Sequence, residues 1–125
     1  MKALPFWFVV VGALLGLAGM VWGIQMSITH DHTLAPAHAH NNLVGFLLMV
    51  IYGFYYKLVP AAAGGRLAMA HFVLALIGAL TIGAGVAMAN TGSGEWLAQI
   101  ASITTILALA VWVYTIFRYR SSLSL

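Results

Sequence analysis

Apolar residues gather into four long runs along the chain, with polar or charged punctuation between them. The first covers about residues 6–26, with Pro5 where a helix can start, since a first-turn proline loses no helical hydrogen bond. The second covers about residues 43–56 and follows Pro36, so its helix is expected to start near that proline and carry His38 and His40 in its opening turns. The third, about 67–89, comes after a connector in which Pro60, Gly64 and Gly65 interrupt helix. The fourth, about 96–117, comes after a polar turn at 90–95. About 20 apolar residues suffice to cross the hydrocarbon of a bilayer. The pattern therefore predicts an all-α fold, an integral membrane four-helix bundle in a single domain, residues 1–125, with spans near 6–26, 38–57, 67–89 and 96–117. A secretory signal peptide competes for the first run, but the run exceeds a typical h-region and reads as a true span.

Small residues add faces to these helices. Gly12, Gly16, Gly19 and Gly23 step by four, three and four and share one side of the first helix, a smooth groove for close helix approach. That groove is expected to serve as a packing surface between subunits. On the third helix His71, Ala75, Gly78 and Gly85 share a face. Tyr52, Phe54, Tyr55 and Tyr56 at the far end of the second helix are expected to form an interfacial anchoring belt.

The composition agrees with a membrane reading: 63% of residues are hydrophobic and 6% charged, where soluble domains carry roughly a quarter charged. With no cysteine there is neither a disulfide framework nor a thiolate metal site. The few charges exclude a phosphate-tracking surface, so no nucleic-acid partner is expected. They sort by side instead. Lys2, Lys57, Arg66, Arg118 and Arg120 fall at one side of a four-span topology, and Asp31 and Glu95 at the other. By the positive-inside bias both termini are cytoplasmic. The expected location is a bacterial inner membrane, with the histidine-rich loop on the outer side.

Candidate chemistry concentrates in that loop. His30, His32, His38 and His40 fall within eleven residues, between the first two apolar runs. An ionisable residue at a membrane span is a functional hypothesis by default, and neutral imidazole ligates both metals and haem iron. His38 and His40 lie two apart, about 200° around a helix, and would face two different surroundings. If their turn is not helical, the pair could chelate one ion. Asn41 and Asn42 are expected to orient ligands or satisfy backbone groups. Met26 and Met88, nearest the outer mouth, are weak candidates for soft ligands beside a chiefly packing role. His71 starts from the opposite side, so roughly 25–30 Å of hydrocarbon separates it from His38 and His40. It is expected to be structural rather than a second ligand for an outer-side cofactor.

The run Ala35-Pro36-Ala37-His38-Ala39-His40-Asn41-Asn42-Leu43-Val44-Gly45-Phe46, with Tyr52-Gly53-Phe54-Tyr55-Tyr56 and Pro60 downstream, resembles the haem-copper oxidase catalytic subunit (subunit I) family. The resemblance covers the second helix well and the start of the third, Ala70-His71-Phe72, less well. In that family a His-x-His pair supplies axial ligands to two haems on either side of one helix. The resemblance thus implies haem b, with His38 and His40 as axial ligands and Asn41 and Asn42 beside them. The family's catalytic subunit has twelve helices in three arcs of four, so a four-helix chain implies a homotrimer, with a haem able to take ligands from two neighbours. There are departures. A His-Pro-Glu-x-Tyr-like copper and tyrosine motif is missing, no carboxylate lies within a span, and no arginine pair stands on the outer side. They weigh against oxygen reduction and proton pumping.

Three readings follow. The first is an oligomeric membrane haem protein with an electron-transfer or redox role and an electron-transfer partner that the sequence does not identify. The second is a copper- or zinc-binding membrane protein using His30, His32, His38 and His40, with Asp31, at an outer-side site. The third is a cofactor-free accessory subunit that packs by its glycine face. No catalytic residue is singled out.

Overall fold

The computed structural model describes residues 3–123, and every regular element among them is helical. α1 is Leu4–Thr29. α2 occupies residues 35–58 as three consecutive segments: α-helical Ala35–His40, π-helical Asn41–Leu48 and α-helical Met49–Leu58. α3 is Gly65–Asn90 and α4 is Trp96–Arg118. Short 3-10 turns, Pro60–Ala62 and Arg120–Ser122, follow α2 and α4.

α1, α3 and α4 are each long and apolar enough to cross a membrane. α2 has a comparable length, about 35 Å at ~1.5 Å per residue, but its opening turns carry His38, His40, Asn41 and Asn42. Large apolar side chains stand exposed along α1 (Leu14, Leu17, Val21, Ile24) and α4 (Ile103, Ile106, Val113, Phe117). A soluble monomer rarely shows so much contiguous apolar surface; lipid is the solvent that suits it.

α1 packs along the whole of α2, and α3 packs along α4. The two hairpins meet through α2 and α3, where close backbone approach is mainly confined to the Ala35–His40 and Asn41–Leu48 segments.

The glycine face of α1 is occupied, and by this chain's own α2. A Cβ at Gly23 would lie 3.2 Å from the His38 ring, one at Gly19 would overlap the Asn42 side-chain oxygen, one at Gly16 would lie 2.8 Å from the Phe46 ring, and one at Gly12 would lie 2.9 Å from Val50. The expectation that this groove packs against another subunit is therefore corrected. A groove without side chains fits the nearest long helix, and the short loop after Thr29 brings α2 there first.

The partner row explains the π segment. His38, Asn42, Phe46 and Val50 step by four, and in an α-helix each such step drifts about 40° around the axis, about 120° over three steps. Yet all four meet the one glycine face. Hydrogen bonding from i to i+5 fits more residues into each turn, so the row stays straight. A second row of four-residue steps, Ala37, Asn41, Gly45 and Met49, is buried along its whole length. There Gly45 lies close to the Ala79 carbonyl of α3, and Gly83 of α3 lies close to Asn41.

Beyond Met49, Gly53 keeps α2 close to α1, with an added Cβ 3.0 Å from the Pro5 carbonyl, but on the α3 side bulky rings replace this close packing. Phe8, Tyr52, Tyr55, Tyr56 and His71 are buried together, with Phe72 and Trp112 packed against them. Phe8 stacks on Tyr56 at 5.6 Å, and Tyr52 meets Trp112 edge-on at 5.1 Å. The expected interfacial belt is corrected accordingly: Tyr52, Tyr55 and Tyr56 fill the core, and only Phe54 turns outward, 57% exposed. The cause is the separation of α2 from α3 at this end, a gap that side chains of ring size fill.

Candidate functional site

The loop between α1 and α2 is built from local hydrogen bonds. α1 ends on His30 in the left-handed conformation, φ 54°, a C-terminal position glycine usually takes. Asp31 Oδ1 accepts from the Thr33 hydroxyl at 2.7 Å and from the Thr33 backbone N–H at 3.0 Å. The Thr33 hydroxyl first, then the Thr33 N–H, hold the Asp31 carboxyl below its ordinary value. His32 is exposed, and its carbonyl accepts from Ala35 N–H at 3.0 Å, closing the turn into α2.

At the head of α2 the two candidate ligands go to different surroundings. His38 is half-buried against α1, with its ring edge-on to Trp22 at 5.9 Å. Its Nε2 accepts from the Asn42 amide at 3.2 Å, while its Nδ1 is buried without a partner among the described residues. The lone pair an iron or copper would need is thus engaged.

His40 is exposed. Its Nδ1 lies 2.7 Å from the Pro36 carbonyl. A carbonyl has no proton to give, so Nδ1 donates, and the neutral ring carries its free lone pair on Nε2. This is the arrangement by which ligating histidines are usually oriented, the second ring nitrogen donating to a carbonyl or carboxylate. Below His40 the same outward side of α2 presents Leu43, Leu47, Ile51 and Phe54.

Asn41 and Asn42 serve the helix seam. Asn41 Nδ2 donates to the Leu15 carbonyl of α1 at 3.1 Å and to Asn42 Oδ1 at 3.4 Å. A buried amide without such partners would be costly; here Asn41 ties α2 to the α1 backbone and Asn42 fixes His38.

The histidines do not converge. No group of three or more His, Cys, Asp or Glu side chains arranged to hold a metal ion occurs among the described residues. His71 is fully buried, and its Nδ1 lies 2.8 Å from the Tyr56 hydroxyl. Tyr56 is eighteen residues along α2 from His38, about 27 Å at ~1.5 Å per residue. His71 and the histidines at residues 30–40 therefore belong to opposite ends of the bundle.

Sequence reasoning did not anticipate the difference between His38 and His40 in lone-pair availability, although residue order held a clue. Asn42 stands four after His38, one helical turn, and Pro36 four before His40. No family model, curated protein or solved structure matches the chain.

Proposed function

We propose that the protein is a membrane haem-binding protein with a redox or electron-transfer role, in which His40 supplies an axial ligand from the outward side of α2. The observation that carries this reading is the His40 Nδ1–Pro36 hydrogen bond, which leaves Nε2 exposed with its lone pair free. The apolar side chains below it, Leu43, Leu47 and Ile51, suit the face of a porphyrin. Bound haem would supply one-electron chemistry. This chain's contribution is a ligand of fixed tautomer, an apolar wall, and Asn42 holding His38 in place. Each chain offers one such outward ligand, so a second would come from another copy, and the resemblance noted above favours three copies. Asp31 and Glu95 lie at the His40 end, and Lys57, Arg66, Arg118 and Arg120 at the other. That distribution supports an inner-membrane orientation with the histidine loop outside and the cationic end in the cytoplasm.

An absorption spectrum of protein purified in detergent from haem-replete cells tests this directly. A Soret band with sharp reduced α and β bands is expected, lost in His40→Ala. A colourless preparation sinks the reading; stoichiometric copper or zinc in it would favour an outer-side metal site, and neither would favour an accessory subunit. The chain has no cysteine, so single introduced cysteines report orientation. Ser93→Cys should react with a membrane-impermeant maleimide in intact cells, and Ala61→Cys should not.

A further inference from the structure

The helical threonines follow one habit with one exception. Thr29, Thr81, Thr104 and Thr115, and Thr91 at the C-terminal cap of α3, each turn the hydroxyl back to the carbonyl four residues earlier, at 2.6–3.0 Å. That bond is the cheapest way to satisfy a hydroxyl in an apolar setting. Thr105 does not make it: its Oγ1 is buried with no partner among the described residues. The hydroxyl is aimed toward α3, where a Cβ added to Gly78 would lie 2.5 Å from it.

Thr105 also lines a small cavity of about 10 Å³, together with Val44, Leu48, Met49, Tyr52, Ala75 and Ala108. Tyr52 is 2% exposed, and its hydroxyl is likewise buried without a partner among the described residues. Two residues from different helices, each with an orphaned hydroxyl, thus line one cavity. Its volume is near the minimum for a single water, about 10–15 Å³, and too small for any larger ligand.

We infer that this cavity is a binding site for one structural water, which bridges the Tyr52 hydroxyl of α2 to the Thr105 hydroxyl of α4. The cavity lies where α2 begins to part from α3, so the water links the α1–α2 hairpin to the α3–α4 hairpin where direct backbone contact gives out. Gly78 leaves the space that lets Thr105 turn away from its own helix.

The two possible states of the cavity give opposite signs on mutation. With a bridging water, Thr105→Val and Tyr52→Phe each break the bridge and lower the Tm, and the double variant loses no more than the larger single loss, since one bridge is broken only once. In a dry cavity both hydroxyls are unsatisfied, so each removal raises the Tm or leaves it unchanged, and the effects add. A rise, no change, or two additive losses overturns the assignment. A density map that resolves other ordered waters provides the independent check. A peak within hydrogen-bonding distance of both hydroxyls is expected, and an empty cavity there overturns the inference even if the Tm values agree.

Discussion

The two ends of α2 solve the same packing problem in opposite ways. At the His38 end it meets α1 and α3 through glycines, with Asn41 bonded across the seam to α1. At the Tyr56 end α2 keeps close to α1 through Gly53 but stands apart from α3, and Tyr52, Tyr55, Tyr56 and His71 fill the space with rings. Each end turns a histidine inward, yet the consequences differ. His71 is enclosed by aromatic side chains and bonded to Tyr56. His38 is held by the Asn42 amide one turn away, and His40, between them in sequence, is left open. Two residues apart on a helix, the members of the His-x-His pair lie about 200° around it from each other, so when His38 packs against α1, His40 turns out. The wider end encloses its histidine completely.

Substitution at the glycine seam should break this contrast most severely. Gly19→Leu cannot be accommodated beside Asn42, and loss of the folded protein, measured as recovery of a monodisperse species in detergent, is expected. The other end should yield next. His71→Ala removes a fully buried ring and the Tyr56 bond, an expected loss of about 3 kcal/mol in reversible unfolding. Tyr56→Phe, which keeps the ring, should cost about 1 kcal/mol. If the two changes have equal effects, the ring packing is not what fills the gap.

The histidines before and within the head of α2 sharpen the comparison at smaller cost. His40→Ala should change stability by less than about 0.5 kcal/mol, as exposed substitutions do, while abolishing the Soret band that the proposed haem binding predicts. His38→Ala should lower the Tm measurably because it vacates the Gly23–Trp22 contact. His30→Gly should raise stability by about 1 kcal/mol, since glycine takes the left-handed cap without a Cβ penalty; a fall would give the His30 side chain a role beyond the cap.

The smallest effect concerns Asp31. Its carboxyl is held below the ordinary value of 3.8, so the turn's contribution is complete above that value and fades as pH falls through the lower, folded one. The Tm difference between parent and Asp31→Asn should therefore shrink on acidification below about pH 4. A difference that widens contradicts the turn geometry.

Much of the helical frame is legible in the sequence because it depends on local pattern. The four apolar runs, Pro36 at the head of α2 and the glycine face of α1 all follow from period and composition. The partner of that face does not, since it is a contact between helices that no single-helix pattern encodes. The π segment is equally hidden: Asn41–Leu48 has the composition of an ordinary apolar helix, and its hydrogen bonding answers to the straight row needed against α1. The tyrosines at 52, 55 and 56 read as interfacial because their burial depends on how far α3 stands away. The separation of His71 from His38 and His40 was legible from helix direction and rise alone. The availability of His40 Nε2 was not, because it depends on which neighbour each ring bonds.

The π segment also changes what kinds of sequence alteration this helix can survive. Between Asn41 and Leu48 a substitution changes one side chain, but a one-residue deletion that kept the i to i+5 bonding would rotate everything before it, by somewhat less than the ~100° of an α-helix, relative to Met49–Leu58. His40 would no longer face outward, and His38 and Asn42 would swing off the glycines of α1, while the tyrosines kept their places. The segment acts as a phase key between two independently built ends, so reading-frame-preserving deletions there should be far less tolerated than point changes at the same positions.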